Sequence, residues 1–362
     1  MARTILLMAG GTGGHVFPGL AVADYLRDLG WHVVWLGTQA GMEERLVPKR
    51  GYDIELINFS GLRGKRTITW IMLPLRLLRA FIQSIQIIRR VKPDVVLGMG
   101  GYPAFPGGMM ASLLNKPLVI HEQNSIPGLT NKVLAKIADK VFLGFPDAMQ
   151  GDKRKIIFSG NPVRKEIEQI EPPKKRYTGR DKQLRLLVVG GSLGAHALNT
   201  AVPEALQLMP ESRRPYVVHQ AGERHLTALK QRYTELGVAG EQVAFIDDMA
   251  MQYTTCDLVL CRAGALTISE LAAAGVASIL VPYPEAVDDH QTCNARFLSD
   301  KNAAVLLPQN ELNPQKLMEL LLGMTRKKLL EMAVAARAQE KVGATELVAN
   351  ACIQMSEAKN EA

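Results

Sequence analysis

The chain has 362 residues, 43 Lys+Arg against 35 Asp+Glu, and 47% hydrophobic residues. That length predicts two domains, and an apolar share near one half with 22% charge excludes a mostly disordered chain. Four cysteines without a C-x-x-C pair point to reduced, structural thiols in a cytoplasm rather than a disulfide framework.

Met1-Ala2-Arg3 runs into a short apolar stretch, Ile5 to Ala9, that ends in glycines, so no signal peptide is expected. Short β-branched runs then alternate with helical patterns, the signature of parallel α/β structure. In the first half, strands are predicted over 4–8, 32–36, 94–98, 117–121, 140–143 and 155–158. Between Glu55 and Asp94 stand Arg63, Lys65, Arg66, Arg76, Arg79, Arg89, Arg90 and Lys92 with no acidic residue. The same segment carries Leu78, Phe81 and Ile82 among other large apolar residues, with Pro74 placed to break or start a helix. Its apolar run 67–75 is too short to span a bilayer. An apolar stripe flanked by Arg76 and Arg79 suits peripheral contact with an anionic membrane surface; the alternative is a crossover helix packed on the sheet with a solvated Arg face. Nucleic acid is not expected, because aromatics are 6% and no RNA- or DNA-binding motif is present.

The charged run 164–183, around Pro172-Pro173, reads as a solvated interdomain stretch. A second series of strands follows over 184–189, 216–219, 242–246, 257–260, 278–281 and 303–307, then a helix over 344–357. Each half opens alike, with a strand, a glycine-rich turn and a helix: Gly10-Gly11-Thr12-Gly13-Gly14-His15 and Gly190-Gly191-Ser192-Leu193-Gly194-Ala195. The predicted fold is therefore α/β, two open parallel-sheet domains facing one another across a cleft, with ligands at the carboxyl ends of the strands.

A glycine turn opening a helix exposes backbone N–H groups suited to phosphate, or simply packs strand on helix tightly. Neither the dinucleotide fingerprint nor a P-loop is present. A third helix start, Arg262-Ala263-Gly264-Ala265-Leu266-Thr267-Ile268-Ser269-Glu270, offers bare N–H groups with hydroxyls that could hold a diphosphate without metal. Glu270 could accept both hydroxyls of a ribose, or merely favour the helix dipole.

These runs, with Gly98-Met99-Gly100-Gly101-Tyr102, His121-Glu122-Gln123-Asn124, Gly160-Asn161-Pro162-Val163-Arg164 and Asp288-Asp289-His290-Gln291, resemble the MurG family of bacterial glycosyltransferases over nearly the whole chain. The resemblance implies a GT-B fold: a membrane-facing acceptor domain over 1–162, completed by a returning helix within 341–362, and a donor domain over 163–340. It implies inverting transfer of N-acetylglucosamine from UDP-N-acetylglucosamine to the 4-hydroxyl of lipid I, giving β-1,4-linked lipid II without a cofactor. It also implies work at the cytoplasmic face of the inner membrane, with cell-wall and division proteins as partners. By resemblance, Ile246 meets the uracil through its backbone and Arg164 helps hold the nucleotide. Ser192 and the helix start Ala265, Leu266, Thr267, Ile268 and Ser269 face the diphosphate, and Glu270 the ribose. Asn124 and Gln291 contact the sugar, and Thr12, Gly13 and Gly14 the donor across the cleft.

Glycosyl transfer needs a stabilised leaving diphosphate and a base for the incoming hydroxyl. No D-x-D metal motif occurs, so a helix dipole with Ser, Thr and Arg is expected to replace a metal. His15, on the first glycine loop, is the leading base, unless it only hydrogen-bonds the loop or acceptor. Glu122 is its rival, or else orients His121. His196 is expected to cap its helix. Two other functions compete: a related GT-B enzyme, such as a glycolipid synthase or a UDP-sugar epimerase, and a catalytically idle nucleotide-sugar binder.

Overall fold

The computed structural model describes residues 2–39, 41–59, 72–191 and 194–360, and divides into two units, Met1–Arg164 with Gly343–Ala362, and Lys165–Val342. The first opens with β1 (Thr4–Ala9), α1 (Gly13–Asp28), β2 (His32–Thr38), α2 (Glu43–Lys49), β3 (Asp53–Ile57) and α3 (Leu73–Val91). It continues through β4 (Val95–Gly100), α4 (Ala104–Leu113), β5 (Leu118–Glu122), α5 (Leu129–Ile137), β6 (Lys140–Leu143) and β7 (Ile156–Phe158). The described strands form one parallel sheet in the order β3-β2-β1-β4-β5-β6-β7. The order reverses beside β1, so the loops after β1 and β4 share the topological switch point where ligands of such sheets bind.

Side chains alternate across a strand, and β1 is buried on both faces, which is why it reads as an unbroken apolar run. Ile5, Leu7 and Ala9 join one core with Val16 and Leu20 of α1. Leu6 and Met8 join another with Ala80, Ile87 and Ile88 of α3 and Ala104 and Ala111 of α4. Trp35, fully buried in β2, satisfies its indole by donating Nε1–H to Ala9 O at 2.8 Å.

The strand β3 is absent from the sequence expectation. Its acids Asp53 and Glu55 break the apolar pattern because β3 lies at the sheet edge. Charge on an edge strand costs little and discourages pairing with other chains.

The second unit starts with two short helices, α6 (Lys165–Glu168) and α7 (Pro173–Arg176). Then follow β8 (Arg185–Val189), α8 (His196–Leu208), β9 (Tyr216–Gln220), α9 (Leu226–Glu235), β10 (Glu241–Val243), α10 (Met249–Thr255), β11 (Leu258–Cys261) and α11 (Ala265–Ala274). It ends with β12 (Ala277–Leu280), α12 (His290–Ser299), β13 (Ala304–Leu306), α13 (Pro314–Leu322) and α14 (Arg326–Arg337). Its parallel sheet runs β10-β9-β8-β11-β12-β13, with the switch point between β8 and β11. The helix α15 (Ala344–Asn360) belongs to the first unit, where Val348, Ala349 and Cys352 enter the core beside α1.

Two expectations are corrected. The stretch 164–183 is not simply solvated: Ile167, Ile170 and Arg176 are buried. The Arg176 guanidinium donates to Glu171 O, Tyr253 O, Ala274 O and Gly275 O, so a cation closes the carboxyl end of α11. Nor does His196 cap α8. The N-cap is Ala195, and the His196 ring lies 6.4 Å from that of His225.

The cysteines are free, and burial pushes the Cys256, Cys261 and Cys352 thiols up to about 12, leaving them as inert packing groups. Among the described residues no helix is long and apolar enough to cross a membrane.

Candidate functional site

In the first unit, the loop after β1 is held from below by a residue the sequence reading passed over. Glu43, at the start of α2, is fully buried. Its Oε2 accepts from Gly11 N at 3.0 Å, and its Oε1 accepts from Thr38 N at 3.0 Å and Thr38 Oγ1 at 2.9 Å. A side chain on Gly10 or Gly41 would overlap this carboxylate. From the neighbouring strand, Gly101 approaches so closely that a Cβ would overlap Gly10 O, and its φ of +82° suits glycine. Two glycine motifs that look independent in sequence are therefore one packed pair of turns.

Thr12 is the N-cap of α1, with Gly13 and Gly14 opening the helix and His15 next, half-exposed. A Cβ on Gly100 would stand 3.0 Å from His15 Nδ1, so the bare backbone of the β4 turn makes room for the imidazole. His15 Nδ1 lies 2.9 Å from Gln123 Oε1, at the end of β5. Gln123 in turn contacts His121, which is fully buried and which burial holds down to about 4, hence neutral.

Glu122 sits beside this pair with a different task. Its Oε1 accepts from Asn124 N (2.9 Å) and Asn124 Nδ2 (3.2 Å), and its Oε2 from Gly128 N (3.1 Å) and Asn131 Nδ2 (2.9 Å). A buried carboxylate with four donors on it shapes the turn 122–128. Its bonds run to that turn and to Asn131 of α5, while the partners of the His121 ring are Gln123 and Gly160 O. Asn161 closes the floor by donating to Gln123 O at 3.1 Å. Arg164 places its guanidinium 5.8 Å from the centre of the Phe17 ring.

In the second unit, β11 delivers the chain to Gly264, the N-cap of α11, which offers no side-chain cap. The first bond of the helix is Ile268 N to Gly264 O, so the N–H groups of Ala265, Leu266 and Thr267 have no partner within the helix and present its positive end. Ser269 Oγ donates back to Ala265 O at 3.1 Å. Glu270 is buried on the same helix, its Oε2 accepting from Tyr253 OH at 3.2 Å. Arg262, in contrast, is committed to structure: its guanidinium donates to Val281 O, Pro282 O and Gln309 Oε1.

Ile246 lies beyond the short strand β10, and its N–H donates to Gln220 Oε1 at 3.1 Å. The other end of that amide donates to Gly191 O at 3.1 Å, so Gln220 joins the second glycine loop to the Ile246 backbone. Gln291 Oε1 accepts from Tyr283 N at 2.9 Å, and Asn294 donates to Ala263 O at 3.3 Å. Ser192 falls outside the described residues, as do Arg63, Lys65 and Arg66 of the basic segment.

On α3, Pro74 occupies the first turn, where its missing N–H costs nothing. Leu75, Leu78 and Ile82 are 62%, 55% and 48% exposed, with Arg76 half-buried and Arg79 exposed beside them. Phe81 differs from the expectation of an outward residue: it is half-buried, its ring centre 6.1 Å from that of Phe105.

The glycosyltransferase family 28 N-terminal domain matches residues 5–143, and the glycosyltransferase family 28 C-terminal domain matches residues 185–348. The UDP-N-acetylglucosamine--N-acetylmuramyl-(pentapeptide) pyrophosphoryl-undecaprenol N-acetylglucosamine transferase of Nitrosospira multiformis is 65% identical over 355 residues, covering 98% of this chain and 99% of its own. The protein of the same name in Nitrosomonas europaea is 60% identical, covering 99% of this chain and 100% of its own. The crystal structure of Acinetobacter baumannii MurG superposes with a TM-score of 0.82 at 39% identity, over 97% of this chain and 99% of that one.

Proposed function

The chain belongs to glycosyltransferase family 28, in the MurG branch with the GT-B fold, and from that membership we propose that it makes lipid II. It transfers N-acetylglucosamine from UDP-N-acetylglucosamine to the 4-hydroxyl of the undecaprenyl-pyrophosphoryl N-acetylmuramoyl-pentapeptide. The observation that carries this reading is 65% identity with a transferase of that name over 98% of this chain and 99% of its own length.

The acceptor oxygen attacks the anomeric carbon from the face opposite UDP. The new C1–O bond forms as the C1–O bond to the β-phosphate breaks, the electron pair leaves with UDP, and configuration inverts. His15 takes the acceptor proton. The amide groups of Ala265, Leu266 and Thr267 meet the charge gathering on the diphosphate, with Ile268 and Ser269 completing that wall. Glu270 holds the ribose, and the Ile246 carbonyl reads the uracil, its N–H being occupied by Gln220. Arg164 supports the nucleotide, Asn124 and Gln291 contact the sugar, and Thr12, Gly13 and Gly14 complete the donor's surroundings. Glu122, saturated by four donors, shapes the turn that carries Asn124.

The exposed stripe of α3 with Arg76 and Arg79 rests on the anionic cytoplasmic face of the inner membrane, where a lipid-linked acceptor resides. Cell-wall and division proteins are its partners there.

Purified protein incubated with UDP-N-acetylglucosamine and a lipid I analogue should release UDP and form the disaccharide-linked product. Epimerised nucleotide sugar without acceptor, or tight donor binding without turnover of either substrate, would replace this reading with an epimerase or an idle binder.

A further inference from the structure

A chain of hydrogen bonds runs inward from His15. His15 Nδ1 lies 2.9 Å from Gln123 Oε1, Gln123 Nε2 lies 3.1 Å from His121 Nδ1, and His121 Nε2 lies 2.9 Å from Gly160 O. Backbone carbonyls decide where the imidazole protons sit and which way the amide faces. Gly160 O can only accept, so the proton of neutral His121 is on Nε2 and its Nδ1 accepts. Gln123 Nε2 also lies 3.2 Å from His121 O, a second pure acceptor, so the amide cannot be flipped and its oxygen faces His15. That oxygen has no proton to give. His15 must therefore donate from Nδ1.

We propose that Gln123 and His121 are positioning residues that lock His15 in the Nδ1–H tautomer, leaving Nε2 as the nitrogen with the free lone pair. The inference deepens the reading of His15 as the base and rests on it for its catalytic meaning. When the acceptor O–C1 bond forms, the hydroxyl proton moves to His15 Nε2. Gln123 Oε1 goes on accepting from Nδ1, so neither the ring nor the amide has to reorganise. The orienting group is a neutral amide rather than a carboxylate, and it is backed by a histidine that burial keeps uncharged, so the relay orients without placing a net charge beside the base. Asn161 fixes the Gln123 backbone, which keeps the amide from swinging away.

The test reads the tautomer directly. In the full-length protein with ¹⁵N-labelled histidine, the His15 signals are assigned by their loss in His15→Gln. Neutral His15 should show a protonated Nδ1 and an unprotonated Nε2. An Nε2–H tautomer in the wild type would overturn the proposal without any variant having to fold. Gln123→Met, which fills similar space but cannot accept, should shift His15 toward Nε2–H. It should lower kcat by about 10- to 100-fold while leaving the KM for UDP-N-acetylglucosamine within about twofold. Gln123→Glu, which restores an acceptor, should return the Nδ1–H signal. An unchanged tautomer in Gln123→Met would also overturn the proposal. Unchanged kcat in His15→Ala would instead remove the base role and leave the tautomer result standing, so the two failures are distinguishable.

Discussion

Glu43 Oε2 accepts the Gly11 amide at 3.0 Å, so the first glycine loop is anchored by a carboxylate that solvent does not reach. The same group takes two donors from Thr38, and replacing it leaves buried donors unpaired. Glu43→Ala should therefore lower stability by about 1–3 kcal/mol, read as a shift in the urea midpoint. Activity should fall with it, because His15 starts from this loop. A variant with wild-type stability would show that the anchor is dispensable.

His15→Ala removes the proposed base. The expected loss in kcat is about 10²–10⁴, with the KM for UDP-N-acetylglucosamine nearly unchanged because most of the proposed nucleotide contacts come from the second unit. A drop of less than about tenfold would give the proton to water instead.

Glu270→Ala should act on the donor alone. Hydrogen bonds to charged groups are worth about 1.5–3 kcal/mol, so the KM for UDP-N-acetylglucosamine should rise roughly 10- to 100-fold. Tyr253→Phe, which removes the 3.2 Å bond to Glu270 Oε2, should give a smaller rise in the same direction. Unaltered donor binding by a folded Glu270→Ala protein would take Glu270 out of the site.

Membrane contact is tested at Leu75 and Leu78, the most exposed apolar positions on α3, and not at Phe81, which packs on Phe105. Leu75→Glu with Leu78→Glu should weaken binding to anionic vesicles by about 1 kcal/mol per charge, beyond the lost apolar area. Turnover of full-length lipid I in vesicles should fall and that of a water-soluble acceptor should not. Undiminished vesicle binding would show that another surface meets the lipid.

Stability should decline in mild acid through two buried histidines. Burial lowers His121 to about 4 and His219 to about 3, against an ordinary value near 6.5. Below pH 6.5 the unfolded chain takes up protons that the folded one refuses, so stability is complete above about pH 6.5 and lost as pH falls toward 4 and then 3. At about 1.4 kcal/mol per unit, each histidine accounts for a few kcal/mol over that window. His219 shows why the fold resists: Asn199 donates to Ala221 O, so its Oδ1 must accept from His219 Nε2, and His219 Nδ1 must accept from Tyr233 OH. Denaturant midpoints for His219→Gln should vary less with pH than wild type between pH 4 and 6.5. Parallel curves would shift the acid sensitivity to other groups.

What could be read in the sequence follows the range of the interactions. Glycine turns after buried strands, and the alternation that orders both sheets, are local patterns and were visible. The edge strand β3 was not, because Asp53 and Glu55 interrupt the apolar run that marked its neighbours. Glu43 meets Gly11 across 32 residues and Gln123 meets His15 across 108, and no periodicity links such pairs. One signal was present for the relay: a histidine, a glutamate and a glutamine in succession at the end of a buried strand, where each polar group must find a partner.

The return of α15 to the first unit has a consequence for synthesis. Val348, Ala349 and Cys352 are fully buried beside Val16 and Ala23, so the first unit lacks part of its interior until some 180 intervening residues have emerged from the ribosome. Residues 2–164 must wait, with an apolar groove along α1 uncovered, while the second unit can close on its own contiguous sequence. The half of the molecule made first is thus the half finished last. During that interval the chain leaves apolar surface uncovered, and a chain truncated near residue 342 would carry one complete sheet domain and one unfinished one.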